Sequence, residues 1–160
     1  MSKQKTLKGF TLIEILVVVA LIAILTAITF IAINPAKNFA DTRNAQRSSD
    51  VVQILNAVTQ YTSEQGNSLT TLVAGGTAIA SCTTDPDYGA LPIGTGVGNV
   101  NLTGTGLNRL VPDFIVGIPV DPQPLGTAAD SGYTICTTSG SRVRVSAPNA
   151  ENGKAISVLR

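Results

Sequence analysis

The sequence predicts an α+β protein: one long N-terminal helix, apolar in its first half and amphipathic in its second, packed on a small antiparallel sheet from the end of the chain. Three observations carry this prediction. Residues 15–33 are apolar except for Thr26 and Thr29. Beyond them Ala40, Ala45, Val51, Ile54, Leu55, Val58 and Tyr61 approximate a stripe of helical period, with Arg, Asp, Gln and Asn elsewhere. Near the C-terminus three β-branched runs, residues 133–138, 143–147 and 156–159, are separated by Ser139-Gly140-Ser141 and by a polar stretch at 148–153, the spacing of three antiparallel strands.

The apolar half comes first. Residues 10–33 form a helix of about 36 Å, enough to cross a hydrocarbon core of about 30 Å with some tilt. Their many Val and Ile are modest helix formers in water, but in lipid the backbone must satisfy its own hydrogen bonds. Lys3, Lys5 and Lys8 precede the span without an acid among them, which places the N-terminus in the cytoplasm. Lys37, Arg43 and Arg47 follow the span and weaken that asymmetry, with Asp41 and Asp50 among them. A secretory signal peptide fits less well. Its apolar region runs to about 7–15 residues, shorter than this one, and Glu14 lies inside the run.

Asn34-Pro35 interrupts the helical pattern, because proline restricts its predecessor and lacks a backbone donor. The pattern resumes and stops near Gly66. Residues 70–106, rich in Gly and Thr, read mostly as loop with a strand at 77–82, and residues 107–110 and 113–115 read as short helical or turn pieces around Pro112. The organisation is therefore a basic leader (1–9), an apolar helix (10–33), an amphipathic helix (34–66) and a loop-rich globular part with a C-terminal sheet (67–160).

Composition narrows the function classes. The net charge of +1 hides an asymmetry: without the three leader lysines, eight basic groups face ten acids. The rest of the chain has no basic excess, so general attraction to nucleic acid is not indicated. The chain has no His, which removes the usual general base and the commonest metal ligand. Cys82 and Cys136 both follow the apolar run. If that part lies outside the cytoplasm a disulfide is the natural reading, closing a loop of more than fifty residues and contributing about 4 kcal/mol in the chain-entropy model; two separate buried thiols are the alternative. With the cysteines paired, no nucleophile–base constellation can be assembled. The reading is a non-enzymatic chain with no cofactor and no metal.

The densest information lies in Lys8-Gly9-Phe10-Thr11-Leu12-Ile13-Glu14. A lone carboxylate in a membrane-length segment is costly and asks for a partner. This motif, followed by the apolar run, resembles the class III signal of type IV pilins and type II secretion pseudopilins, with similarity over roughly residues 5–62. The resemblance implies a pilin-like fold and a subunit that polymerises with copies of itself through its N-terminal helix. It also implies cleavage between Gly9 and Phe10 by a prepilin peptidase, N-methylation of Phe10, and a docking role for Glu14, which pairs with the freed amine of a neighbouring subunit. The remaining partners it implies are the inner-membrane assembly machinery and, before assembly, lipid. The location it implies is the cytoplasmic membrane first and a surface filament later. A membrane-tethered adhesin or DNA-binding module is the alternative, with the leader uncleaved.

Further along, Leu107-Asn108-Arg109-Leu110-Val111-Pro112, Ile118-Pro119-Val120-Asp121-Pro122 and Gly132-Tyr133 resemble the loop and sheet region of major pseudopilins, whereas a disulfide between distant C-terminal cysteines resembles type IVa pilins. The subclass stays open. Weaker signals have plain readings. Asp85-Pro86-Asp87-Tyr88-Gly89 places acids two apart as calcium loops do, but lacks the other ligands and reads as a turn. Arg142 and Arg144 alternate with Val143 and Val145, with Lys154 and Arg160 nearby in sequence. The alternation is that of the wet face of a strand rather than of a DNA contact. Gly94-Thr95-Gly96-Val97-Gly98 lacks the spacing of a phosphate-binding loop, and Asn101-Leu102-Thr103 is a formal glycosylation sequon.

Overall fold

The computed structural model describes residues 9–73, 76–82, 89–103, 110–123 and 126–160. The leader lysines, the stretch 85–88 and residues 107–109 lie outside these. The chain divides into two compact units, Met1–Phe39 and Ala40–Arg160.

In the first unit, helix α1 spans Leu12–Ile33, and it is long and apolar enough to cross a membrane. None of its residues is buried. Thr26 and Thr29 cause no unsatisfied polarity, because their hydroxyls donate to the carbonyls of Ile22 (2.7 Å) and Leu25 (2.5 Å). The helix ends at Asn34, which adopts the left-handed conformation (φ 44°, ψ 76°) that asparagine tolerates better than most residues. Asn34 also starts the next helix: its side-chain Oδ1 accepts from the N–H of Lys37 at 3.3 Å, and Pro35 occupies the first helical position, where a missing N–H costs nothing. The expected interruption is thus a double cap, one residue wide.

Helix α2 spans Pro35–Ser63 and enters the second unit at Ala40. Its chain reversal uses Gly66 at φ +90°, and a four-residue helix α3, Leu69–Leu72, follows with Ser68 as its cap. The sheet is antiparallel in the order β1-β2-β3-β4, with β1 at Leu91–Pro92, β2 at Thr134–Thr137, β3 at Val143–Ser146 and β4 at Ser157–Leu159. The register pairs Ile135 with Leu91 and Val145, and Val145 with Val158. Ile135 and Val145 are buried with Tyr133 and Val143 on the face that shares a core with α2.

Three expectations are corrected. The sheet has four strands rather than three; β1 is two residues long and contains a proline, which confines it to an edge and hides it from a pattern search. The expected strand at 77–82 amounts to one parallel bridge between Ser81 and Thr137. Finally, Ala45 does not belong to the buried stripe. It is exposed, and the inward positions of that stretch are Asn44, Arg47 and Asp50.

Loops complete the core. Ile93, Val100, Leu102 and Leu110 are fully buried against Val51, Ile54, Leu55, Val58 and Tyr61 of α2. The loop carrying Gly94 lies so close to the one carrying Ala129 that a Cβ on Gly94 would sit 2.2 Å from the Ala129 carbonyl oxygen, so only glycine fits there.

Candidate functional site

Two polar arrangements stand out, one in each unit. The first is at the start of α1. Thr11 is the N-cap: its Oγ1 accepts from the N–H of Glu14 at 3.3 Å, while Glu14 Oε2 accepts from the N–H and the hydroxyl of Thr11, both at 2.9 Å. This reciprocal capping box satisfies otherwise orphaned donors, and a carboxylate in the first turn is favoured by the helix dipole. Glu14 is thereby held in place at the head of an apolar helix, and its Oε1 makes none of these bonds. The junction between Gly9 and Phe10 immediately precedes the cap and is exposed, with the Phe10 side chain 84% accessible. Gly9, Phe10 and Glu14 all lie at the head of α1, where the bonded pair is Thr11 and Glu14. Sequence reading gave no role to Thr11, although a Thr three residues before a Glu is the signature of a capping box.

The second arrangement seats the first turns of α2 that lie in the body. Arg47 has no exposed surface, and every nitrogen of its guanidinium is used. Nε and Nη2 form a two-pronged pair with Asp121 at 2.8 and 2.9 Å, and Nη1 donates to Glu151 (2.9 Å) and to Asn44 Oδ1 (3.0 Å). Arg43 grips Glu151 as well, from Nε at 2.7 Å and Nη2 at 2.5 Å. Asn44 and the Glu151 backbone exchange two hydrogen bonds, at 2.9 and 3.0 Å. One turn along, the buried Tyr133 hydroxyl donates to Asp50 at 2.7 Å. At the outer end Lys154 and Asn152 both reach Asp41, at 3.0 and 3.3 Å. The network thus ties α2 to the loop after β3 and to the segment before β2.

The charges follow from these contacts. The Arg43 and Arg47 hydrogen bonds hold the Glu151 carboxyl down at about 2, with burial opposing them weakly. Burial pushes Asp121 up, but the Arg47 fork and the Gln123 N–H outweigh it and leave the carboxyl below its ordinary value. Asp121 in turn raises Arg47, and burial together with Asp50 raises the Tyr133 hydroxyl. Groups so thoroughly paired hold a shape; they are poorly placed to move protons.

Cys82 and Cys136 are joined by a disulfide with Cα atoms 5.0 Å apart, which ties the segment around Ser81 to β2. Two of the four basic residues near the C-terminus are engaged within the chain. Lys154 is tied to Asp41, and Arg160 donates to Asn56 at 2.9 Å. Asn101 accepts from the N–H and hydroxyl of Thr103, a turn closed by its own side chain. Gly94 and Gly96 make backbone bonds to Val100 and Ala129, so this glycine-rich stretch is a packed loop. Among the described residues no three acids or cysteines approach closely enough to hold a metal ion.

A model of the prokaryotic N-terminal methylation motif matches residues 5–30, covering the Gly9-Phe10 junction, Glu14 and most of α1. No curated protein and no solved structure matches the chain. The N-terminus accordingly carries a prepilin-type motif, and the match ends at residue 30.

Proposed function

We propose that this chain, whose N-terminus is of the prepilin type, is the precursor of a filament subunit of the type IV pilin or pseudopilin kind. The single observation that carries the proposal is α1 itself. It is a 22-residue apolar helix with no buried residue, and its first turns lie within the motif. An apolar surface of that extent does not stay in water, so it requires first lipid and then other apolar helices. In the proposed sequence of events, α1 spans the cytoplasmic membrane with the leader inside and the disulfide-bearing part outside, where such a bond persists. Prepilin peptidase cuts between Gly9 and Phe10, and the new Phe10 amine is methylated. The inner-membrane assembly machinery then draws the subunit into a helical homopolymer whose head-to-tail contacts remain open-ended.

Glu14 receives the neighbour's amine in this scheme. The capping box supports that role, because it survives the cut, orients the carboxylate at the head of the helix and engages only Oε2. Buried between apolar helices, the carboxylate needs the amine as its counter-charge. Glu14→Val should leave the chain membrane-bound and cleaved while filaments disappear from sheared surface material. Normal filaments from that variant would overturn the docking role. N-terminal sequencing of wild-type sheared material should read methyl-Phe10; an uncleaved Met1 start would favour a membrane-tethered adhesin or DNA-binding module.

A further inference from the structure

Ile156 and Val158 alternate with Ser157 and Leu159, so β4 packs its first pair against the core and leaves the second pair exposed. Its backbone is two-sided in the same way. Val143 and Arg160 exchange N–H to C=O bonds at 2.7 and 3.0 Å, and Ala147 donates to Ile156 at 2.9 Å. Bonded positions alternate along an antiparallel ladder, so Val158 also faces β3. The N–H and C=O groups of Ser157 and Leu159 therefore point away from the sheet, and among the described residues nothing pairs with them. The opposite edge is different. β1 is two residues long and carries Pro92, so it offers almost nothing to another strand. β4 has neither a proline nor a charge within it, the devices that commonly protect an edge from pairing.

Unpaired charge gathers at the same edge. Arg43 and Arg47 are taken up by Glu151 and Asp121, and Lys154 by Asp41. Arg160, which follows β4, bonds only the neutral side chain of Asn56. Arg142 and Arg144 enter no hydrogen bond or salt bridge among the described residues. Arg144 lies directly opposite Leu159, and Arg142, two residues before it, shares that face of the sheet. Strands β2, β3 and β4 and the loop joining β2 to β3 contain no acid. Three arginines thus surround one open strand edge with no carboxylate beside them.

We propose that β4 takes up an acidic extended segment of a partner protein as a fifth strand. Backbone bonds to Ser157 and Leu159 supply the attachment, and the arginines select for acidic side chains. A strand added beyond β4 runs about 10 Å from β3, two interstrand spacings. Arg144 reaches over Leu159 to meet a glutamate or aspartate extending from the added strand, and Arg160 meets a second acid at the end of the edge. A second copy of β4 is a poor occupant, because it brings Lys154 and Arg160 towards charges of the same sign. A nucleic acid would answer the arginines but not the outward N–H and C=O groups, which are spaced for a strand. The proposal goes beyond filament assembly and does not depend on it, since every group belongs to one subunit.

The test uses the full chain in a non-ionic detergent, with a fluorescent peptide of about seven residues, alternating Glu and Val, read by anisotropy. Its Kd should lie below about 1 mM. A peptide alternating Lys and Val should bind at least about tenfold more weakly, because like charges are rejected at an interface. Arg142→Gln with Arg144→Gln should weaken the acidic peptide about three- to tenfold, the scale of two exposed charge pairs, with the thermal midpoint unchanged. The strand itself is tested by N-methylating alternate amides of the acidic peptide, in both phases. At least one phase should lose binding, because one set of amides must face β4. That arm acts on the wild-type chain and decides even where the double variant is unstable. The proposal is overturned if the acidic peptide binds more weakly than about 1 mM, if the double variant binds as wild type, or if both methylated peptides bind as tightly as their parent. It is equally overturned if a single-stranded oligonucleotide binds this edge in place of the peptide.

Discussion

Helix α1 and the buried stretch of α2 are neighbours in sequence and opposites in energetics. Residues 12–33 have every side chain exposed, up to 82% for Ile31. Residues 40–61 are seated by their own subunit in two ways. Val51, Ile54, Leu55, Val58 and Tyr61 enter an apolar core, whereas Asn44, Arg47 and Asp50 enter a polar one. The difference teaches that the second unit has a core of its own. On the proposed function, substitutions in α1 should act on location and assembly rather than on folding. Substitutions at the Arg47 network should do the reverse.

The comparison is broken most severely by the Glu14→Val variant described above, whose expected effect is loss of filaments with the thermal unfolding of the body unchanged. If that variant unfolded the body, the separation of roles would fail. Next in size is Arg47→Met. Removing one partner of a buried pair leaves Asp121 uncompensated and should cost about 3–5 kcal/mol in urea unfolding, with membrane insertion retained. A loss under about 1 kcal/mol, the value of a surface pair, would mean that the network is solvated in solution. Cys82→Ser with Cys136→Ser should cost about 2–4 kcal/mol, because the bond closes a 54-residue loop in the unfolded chain. Equal stability of the oxidised and reduced protein would contradict it.

The smallest effect is a pH dependence. Glu151 titrates near 2 when folded against 4.5 otherwise, so its contribution is fully present above 4.5 and is lost as pH falls towards 2. Asp121, also lowered, acts in the same direction. Glu151→Gln should therefore flatten the fall in stability between pH 4.5 and 2, measured as thermal midpoint against pH. An unchanged slope would assign acid sensitivity to other carboxyls.

Much of the architecture was legible because it is local. The length of α1, the break at Asn34-Pro35, the apolar turns of α2 and the three C-terminal strands follow from runs and periods within short windows. The capping box at Thr11 is equally local and was there to be read. The Arg47 network was not legible. Arg47, Asp121 and Glu151 are 74 and 104 residues apart as pairs, and an arginine on a helix reads as exposed until a partner is known. One trace exists: positions 40, 44, 47, 51, 54, 58 and 61 alternate steps of three and four, so the polar residues occupy the same stripe as the apolar ones.

The sequence by itself determined the N-terminal chemistry. A capping box and an apolar helix depend on adjacent residues alone. Tertiary structure alone decided which polar residues of α2 turn inward and that a fourth strand forms at Leu91–Pro92. These depend on pairings between segments far apart in the chain. A buried charge becomes tolerable only where such a pairing supplies its counter-charge.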